Sequence, residues 1–230
     1  MIRGQIVALG GGGFSMEATP VLDDYILGLS ENRKPRICFV PTASGDSEGY
    51  IAKFYERFKE TQCEPTHLSL FKRDGRNLSD FARSQDVIYV GGGNTANMLA
   101  IWRLHGWDKA LQDALASGTI LAGLSAGSIC WFQAGVTDSF GDQLAPLDCL
   151  GFLPGSNCPH YDSEPARRPT YHRLVGEGMV PGIAADDGVA LHYVDNRLQR
   201  VVSSRSEAKA YRVELNEDTV VETPLAAELL

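Results

Sequence analysis

The sequence has no paired-cysteine spacing, no long hydrophobic run and no excess of positive charge, and each absence removes a class of protein. Its five cysteines, Cys38, Cys63, Cys130, Cys149 and Cys158, are scattered, odd in number and never spaced C-x-x-C. That excludes a disulfide framework and a zinc-binding site, suits free thiols in a reducing compartment, and makes the cytoplasm the expected location. Cys38 and Cys130 lie in apolar runs and are expected in the core, whereas Cys158 stands beside candidate chemistry at His160. No apolar stretch nears the roughly 20 residues of a membrane span, and none follows Met1-Ile2-Arg3-Gly4-Gln5 in the manner of a secretory leader. The net charge of −8 argues against nucleic-acid or anionic-membrane partners, which need a positive surface, but leaves room for a local basic pocket. There is no internal repeat and no linker, so residues 1–230 are expected to form a single domain. With 43% hydrophobic and 22% charged residues, the chain has the composition of a globular protein long enough to bury a core.

What is present is an alternation of apolar strands with helices. Gln5–Leu9, Pro35–Val40, Thr66–Leu70, Asp86–Val90 and Thr119–Ala122 are predicted strands. Helices are predicted over Pro20–Leu29, from a cap at Ser47 to Glu60, over Ala96–Leu104, and from Gly106 to Ser117. Continuous apolar strands separated by helices indicate a mostly parallel α/β sheet covered on both faces. Ligands of such sheets bind beyond the carboxyl ends of the strands. The loops Gly10–Gly13, Pro41–Gly45, Gly91–Thr95 and Gly123–Gly127 all follow strands, so they are expected to gather on one rim. Residues 134–165 read as a long irregular segment, followed by a helix over Pro165–Val175. Gly182–Ala184, Gly188–Tyr193, Arg197–Ser203, Ala208–Leu215 and Thr219–Thr223 read as a C-terminal extension, antiparallel from Gly188 onward. The run Gly10-Gly11-Gly12-Gly13 does not meet the G-x-G-x-x-G spacing of a dinucleotide site, and a loop in close backbone contact with a neighbour is expected instead. No cofactor or metal is expected.

The chemistry centres on Gly123-Leu124-Ser125-Ala126-Gly127, a G-x-S-x-G pentapeptide between an apolar run and a candidate helix from Ser128. In a strand–turn–helix context this pattern forces a sharp turn that presents a serine hydroxyl as nucleophile. A serine nucleophile needs a base, an orienting acid and oxyanion donors. Of the five histidines, His67 and His105 read as structural, and His172 and His192 fall on a predicted helix and strand. His160, in the irregular segment, is the best-placed base. Asp138, Asp142, Asp148, Asp186 and Asp187 are all candidate acids.

Three stretches in order, Ile88-Tyr89-Val90-Gly91-Gly92-Gly93-Asn94-Thr95, Gly123–Gly127 and Asn157-Cys158-Pro159-His160, resemble the peptidase E family. These are serine peptidases related to aspartyl dipeptidases and more distantly to cyanophycinases. The resemblance spans roughly residues 5 to 200, and it implies a flavodoxin-like fold similar to class I glutamine amidotransferases. It implies Ser125 as nucleophile and His160 as base. The family's third member is commonly Glu on the turn after a late strand; here Asp187, one methylene shorter, stands there, and Asp138 matches another acidic position and is the alternative acid. The resemblance further implies oxyanion donors at the backbone N–H groups of Gly93 and Ala126. It implies a substrate-binding arginine at Arg168, with Arg167 adjacent. The expectation is a serine peptidase acting, as a monomer or homodimer, on dipeptides or short peptides, those beginning with aspartate included. One alternative is a cyanophycinase-like hydrolase of β-aspartyl peptides, for which Asp162 and Glu164 would line an acidic pocket. Another is a non-enzymatic amidotransferase-like binding module.

Overall fold

A computed structural model describes residues 4–18 and 20–230. Met1, Ile2 and Arg3, which open the stretch read as lacking a leader, lie outside the described residues. In chain order the elements are β1 (Gln5–Leu9), α1 (Val21–Gly28), β2 (Arg36–Val40), α2 (Glu48–Arg57), β3 (Glu64–His67), α3 (Leu78–Arg83), β4 (Val87–Val90), α4 (Thr95–His105), α5 (Trp107–Ala116) and β5 (Ile120–Leu124). They are followed by α6 (Ala126–Ile129), β6 (Phe132–Thr137), β7 (Ala145–Asp148), β8 (Leu153–Cys158), α7 (Arg167–Gly176), β9 (Gly182–Ala185), β10 (Val189–Val194), β11 (Arg197–Ser203), β12 (Ala210–Asn216), β13 (Thr219–Leu225) and β14 (Glu228–Leu229).

The larger sheet runs β14-β11-β10-β1-β5-β4-β2-β3. Its strands from β1 to β3 are parallel, and β10 adds antiparallel to β1. Alternate residues face opposite sides of a strand, and that period divides the core. Ile6, Ala8, Cys38, Val40, Ile88 and Val90 pack with Met98, Trp102, Trp107 and Leu111 of α4 and α5. Val7, Leu9, Ile37, Phe39, Val87 and Tyr89 pack with Leu22 and Ile26 of α1, Phe54 of α2 and Phe58 just past it. Both faces are covered, as the continuous apolar runs required. This is the mixed α/β, flavodoxin-like architecture expected from the sequence.

The structure departs from the sequence reading at several places: β3 starts two residues earlier than the predicted Thr66–Leu70, and α3 has no counterpart in it. Residues 134–165 are not irregular: β6, β7 and β8 join β9, β12 and β13 in a six-stranded second sheet ordered β13-β12-β9-β8-β6-β7. The period of β6 and β8 is broken, which gives them no strand signature in the sequence. The β6–β8 register shifts between Phe132 and Ala134, and β8 carries Pro154 and Gly155. The C-terminal extension is accordingly split, with β10 and β11 completing the first sheet and β12 and β13 the second. The helix expected from Ser128 onward ends after one turn at Ile129, because Phe132 enters the second sheet.

Candidate active site

Strand β5 is fully buried between β1 and β4, and the chain leaves it through Ser125 at φ 55° and ψ −113°. A side-chain-bearing residue in that region costs on the order of 1–3 kcal/mol, so the surroundings must hold it there. Ser125 N–H donates to Leu9 O at 3.2 Å, and Ser125 O accepts the N–H groups of Ser128 and Ile129, both at 2.9 Å. Ser128 Oγ donates to Asn157 Oδ1 (2.9 Å), and Asn157 Nδ2 donates to Ile183 O (2.9 Å). This buried chain ties the turn to β8 and β9. The two glycines of the pentapeptide are packing requirements: a Cβ on Gly123 would stand 2.5 Å from Gly127 O, and one on Gly127 would stand 2.4 Å from Val90 O.

His160 follows the end of β8 at φ 54°. Its N–H donates to Gly10 O (3.0 Å), and the next N–H, of Tyr161, donates to Ala185 O (3.2 Å). His160 therefore hangs between the exits of β1 and β9. Asp187 lies on the turn between β9 and β10, and its Oδ1 is 2.7 Å from His160 Nδ1. Burial opposes the charge on Asp187, but hydrogen bonds from His160 and Ser163 and the Arg205 guanidinium outweigh it. The carboxyl is left below its usual range. The glycine loop after β1 makes this pairing possible, since a Cβ on Gly11 would meet Asp187 Oδ1 at 2.0 Å. The close backbone approach expected of that loop is thus toward Asp187 and His160.

The turn carrying Asp187 is clamped by residues that the sequence reading had given no such role. Asp162 Oδ1 accepts the Asp187 N–H (2.9 Å), and Arg205 Nη1 donates to both Asp187 O and Asp162 Oδ2 at 2.9 Å. Asp162 is two residues past His160, so the clamp couples the His160 loop to the Asp187 turn. Asp138 stands exposed beyond β6, and no hydrogen bond joins its carboxylate to His160 among the described residues. Asp186 is turned away and accepts the Lys209 N–H (2.9 Å).

Ser125 and His160 line one cleft of about 550 Å³, together with Leu124, Gly92, Met16, Tyr50 and Lys53. Gly92 stands beside Ser125: a Cβ there would be 3.3 Å from Ser125 Cβ. Gly93 is the next residue, held at φ 135° where a Cβ would overlap Ala43 O at 2.2 Å. Ala126 opens α6, and the first N–H groups of a helix have no intrahelical acceptor. The loops after β1, β4 and β5 do meet at one rim.

Arg168 goes elsewhere. Its guanidinium lies 4.6 and 4.5 Å from the ring centres of Tyr161 and Tyr211, and it donates to Glu222 Oε1 at 2.8 Å. It is not among the residues lining the cleft. Arg167 is buried, bonded to Glu164 and to Val136 O, both at 2.7 Å. Three of the other four histidines are engaged too: His67 with Tyr55, His192 with Tyr25 and Gln5, and His172 with Glu222. Cys158 is buried, which pushes its thiol up to about 12 and leaves it unreactive.

The model of peptidase family S51 matches residues 6–201. Peptidase YgaJ of Bacillus subtilis is 54% identical over 228 residues, covering 98% of this chain and 99% of its own. Peptidase E of Shewanella denitrificans is 26% identical over 188 residues, covering 75% and 78% of the two chains. Among solved structures, a peptidase from an acI-B1 Actinobacterium superposes with a TM-score of 0.73 at 20% identity, covering 98% of this chain and 95% of that one.

Proposed function

This chain belongs to peptidase family S51 and is a serine-type peptidase, and from that premise we propose that it hydrolyses dipeptides or short peptides with Ser125, His160 and Asp187 as its working residues. The observation that carries the assignment is the 2.7 Å pairing of His160 Nδ1 with Asp187, at a cleft whose wall also holds Ser125 on its strained turn. With Nδ1–H donated to the carboxylate, Nε2 is the basic nitrogen of the ring. It takes the Ser125 proton as Oγ attacks the scissile carbonyl. The backbone N–H groups of Gly93 and Ala126 stabilise the oxyanion of the tetrahedral intermediate. The imidazolium then gives its proton to the leaving amine, and water attacks the acyl-enzyme by the same route in reverse, regenerating Ser125. Asp187 fixes the tautomer and stays ionised throughout.

Two features weigh against the neighbouring reading of a guanidinium-binding, cyanophycinase-like pocket. Asp162 is occupied by the Asp187 N–H and Arg205, and Glu164 by Arg167. Neither carboxylate lines the cleft. The five free thiols fit a cytoplasmic enzyme. Among the described residues no helix is long and apolar enough to cross a membrane.

The test is a dipeptide panel run with the wild type and Ser125→Ala, together with a fluorophosphonate label. The expected result is labelling at Ser125 and a loss of hydrolysis on the order of 10³-fold or more in the alanine variant. Near wild-type hydrolysis by Ser125→Ala removes the mechanism.

A further inference from the structure

The arginine expected to read the substrate is engaged by Glu222 and two tyrosine rings, so the charge that the cleft offers must be found elsewhere. Helix α2 supplies it. Gly49 and Tyr50 lie four and three residues before Lys53, on the side of the helix that Lys53 presents, and all three line the cleft with Ser125 and His160. Lys53 is the one Lys or Arg among the described residues of that lining, which includes no Asp or Glu. It is exposed, and no carboxylate of the protein pairs with it among the described residues. One turn further along the same helix, Arg57 is paired with Asp23 and Asp24. The contrast matters, because a paired cation has little charge left to offer a ligand, whereas an unpaired ammonium facing a cleft attracts an anion to it. The volume lies within the range of small-molecule sites.

We propose that Lys53 is the specificity-determining residue of this cleft and holds a carboxylate of the peptide substrate. The proposal rests on the peptidase reading of the same site and narrows it to peptides that carry a negative charge near the scissile bond. An ammonium on a flexible stem binds as a point charge, not as the rigid two-point fork of a guanidinium. It therefore selects for charge more than for one carboxylate orientation. A dipeptide can present that carboxylate at its C-terminus or on an acidic side chain.

The experiment compares four dipeptides: free acid and C-terminal amide, each with aspartate or alanine first. The readout is the ratio of kcat/KM for each charged peptide to that for its neutral counterpart, in the wild type, Lys53→Met and Lys53→Glu. The recognised carboxylate is expected to show a wild-type preference that falls about tenfold or more in Lys53→Met and further in Lys53→Glu, mainly through KM. If the acid-to-amide ratio falls, the C-terminus is the source; if the aspartate-to-alanine ratio falls, it is the side chain. Unchanged ratios in Lys53→Glu overturn the proposal while leaving the peptidase reading intact, provided Ser125→Ala is inactive. If the wild type cleaves none of the four, or Ser125→Ala matches it, the peptidase reading fails instead. Lys53 is then judged by calorimetric binding of the same free acids to Ser125→Ala and to Ser125→Ala/Lys53→Glu. Equal affinities, or no binding to either, overturn the proposal.

Discussion

Replacing Gly11 by alanine should disable the enzyme without unfolding it. The added Cβ would stand 2.0 Å from Asp187 Oδ1, 2.9 Å from Asp187 Cγ and 3.0 Å from His160 Nδ1. A carbon and an oxygen not bonded to one another settle no closer than about 3.3 Å, so the carboxylate must retreat by about 1.3 Å. Along the bond, that takes the 2.7 Å contact with His160 to about 4 Å, beyond hydrogen-bonding range. Gly11 is not among the positive-φ glycines, so alanine brings no backbone strain. The obstructing oxygen ends a side chain that can swing aside. The fold should therefore lose only about 1 kcal/mol, or roughly 2–4 °C in Tm for a chain of this size. Catalysis should lose far more: a misplacement of about 1 Å costs around 10²-fold, and an imidazole left in the wrong tautomer up to about 10⁴-fold. The assay is kcat/KM on the best dipeptide of the panel beside a thermal melt, with Gly28→Ala as control, since nothing lies within 4 Å of a Cβ there. In an Asp187→Ala background the clash disappears, so adding Gly11→Ala should cost no more than a few-fold. Wild-type activity in Gly11→Ala would refute the reasoning.

Other substitutions probe the remaining parts. Asp187→Asn should reduce kcat by about 10²–10⁴-fold, whereas Asp138→Asn should leave kcat near wild type; the reverse outcome in steady-state kinetics moves the acid to Asp138. Arg205→Gln removes a positive neighbour of Asp187. The acid limb of the pH–rate profile should move to higher pH, and a limb that stays in place argues against the clamp. Asp23 is buried, and desolvation raises its carboxyl to about 7 against the attraction of Arg57, whose Nε is 3.4 Å from Oδ2. The folded state thus holds a proton that the unfolded chain releases near 3.8, so stability falls as pH rises from about 4 through 7. Asp23→Asn should remove that dependence, gaining on the wild type by no more than about 4 kcal/mol between pH 4 and pH 8 in urea titrations. Parallel titrations of the two proteins across the window would show that Asp23 ionises normally.

Local pattern alone determined a good deal of this protein. Continuous apolar runs such as Ile6–Leu9 and Val87–Val90, each followed by glycines, read as strands buried on both faces, and helices between them favour parallel order with the following loops on one rim. The G-x-S-x-G turn was legible for the same reason, since its glycines answer to neighbours only a strand away, Val90 among them. Long-range pairing was not legible. The second sheet joins residues around 135, 157, 183 and 212, and its interrupted strands are specified by partners, not by their own period. Five aspartates were candidates by type and position, and only the crossing of β1, β8 and β9 brings Asp187 rather than another to His160. Arg168 had a fitting residue type and chain position, yet folding puts it between Tyr161 and Tyr211 against Glu222. Lys53 had no motif around it and meets the cleft because α2 packs beside the rim that carries Ser125. Sequence specifies what a residue can do over a few bonds and a few neighbours; which charges meet, and which remain free for a ligand, depends on contacts between residues far apart in the chain.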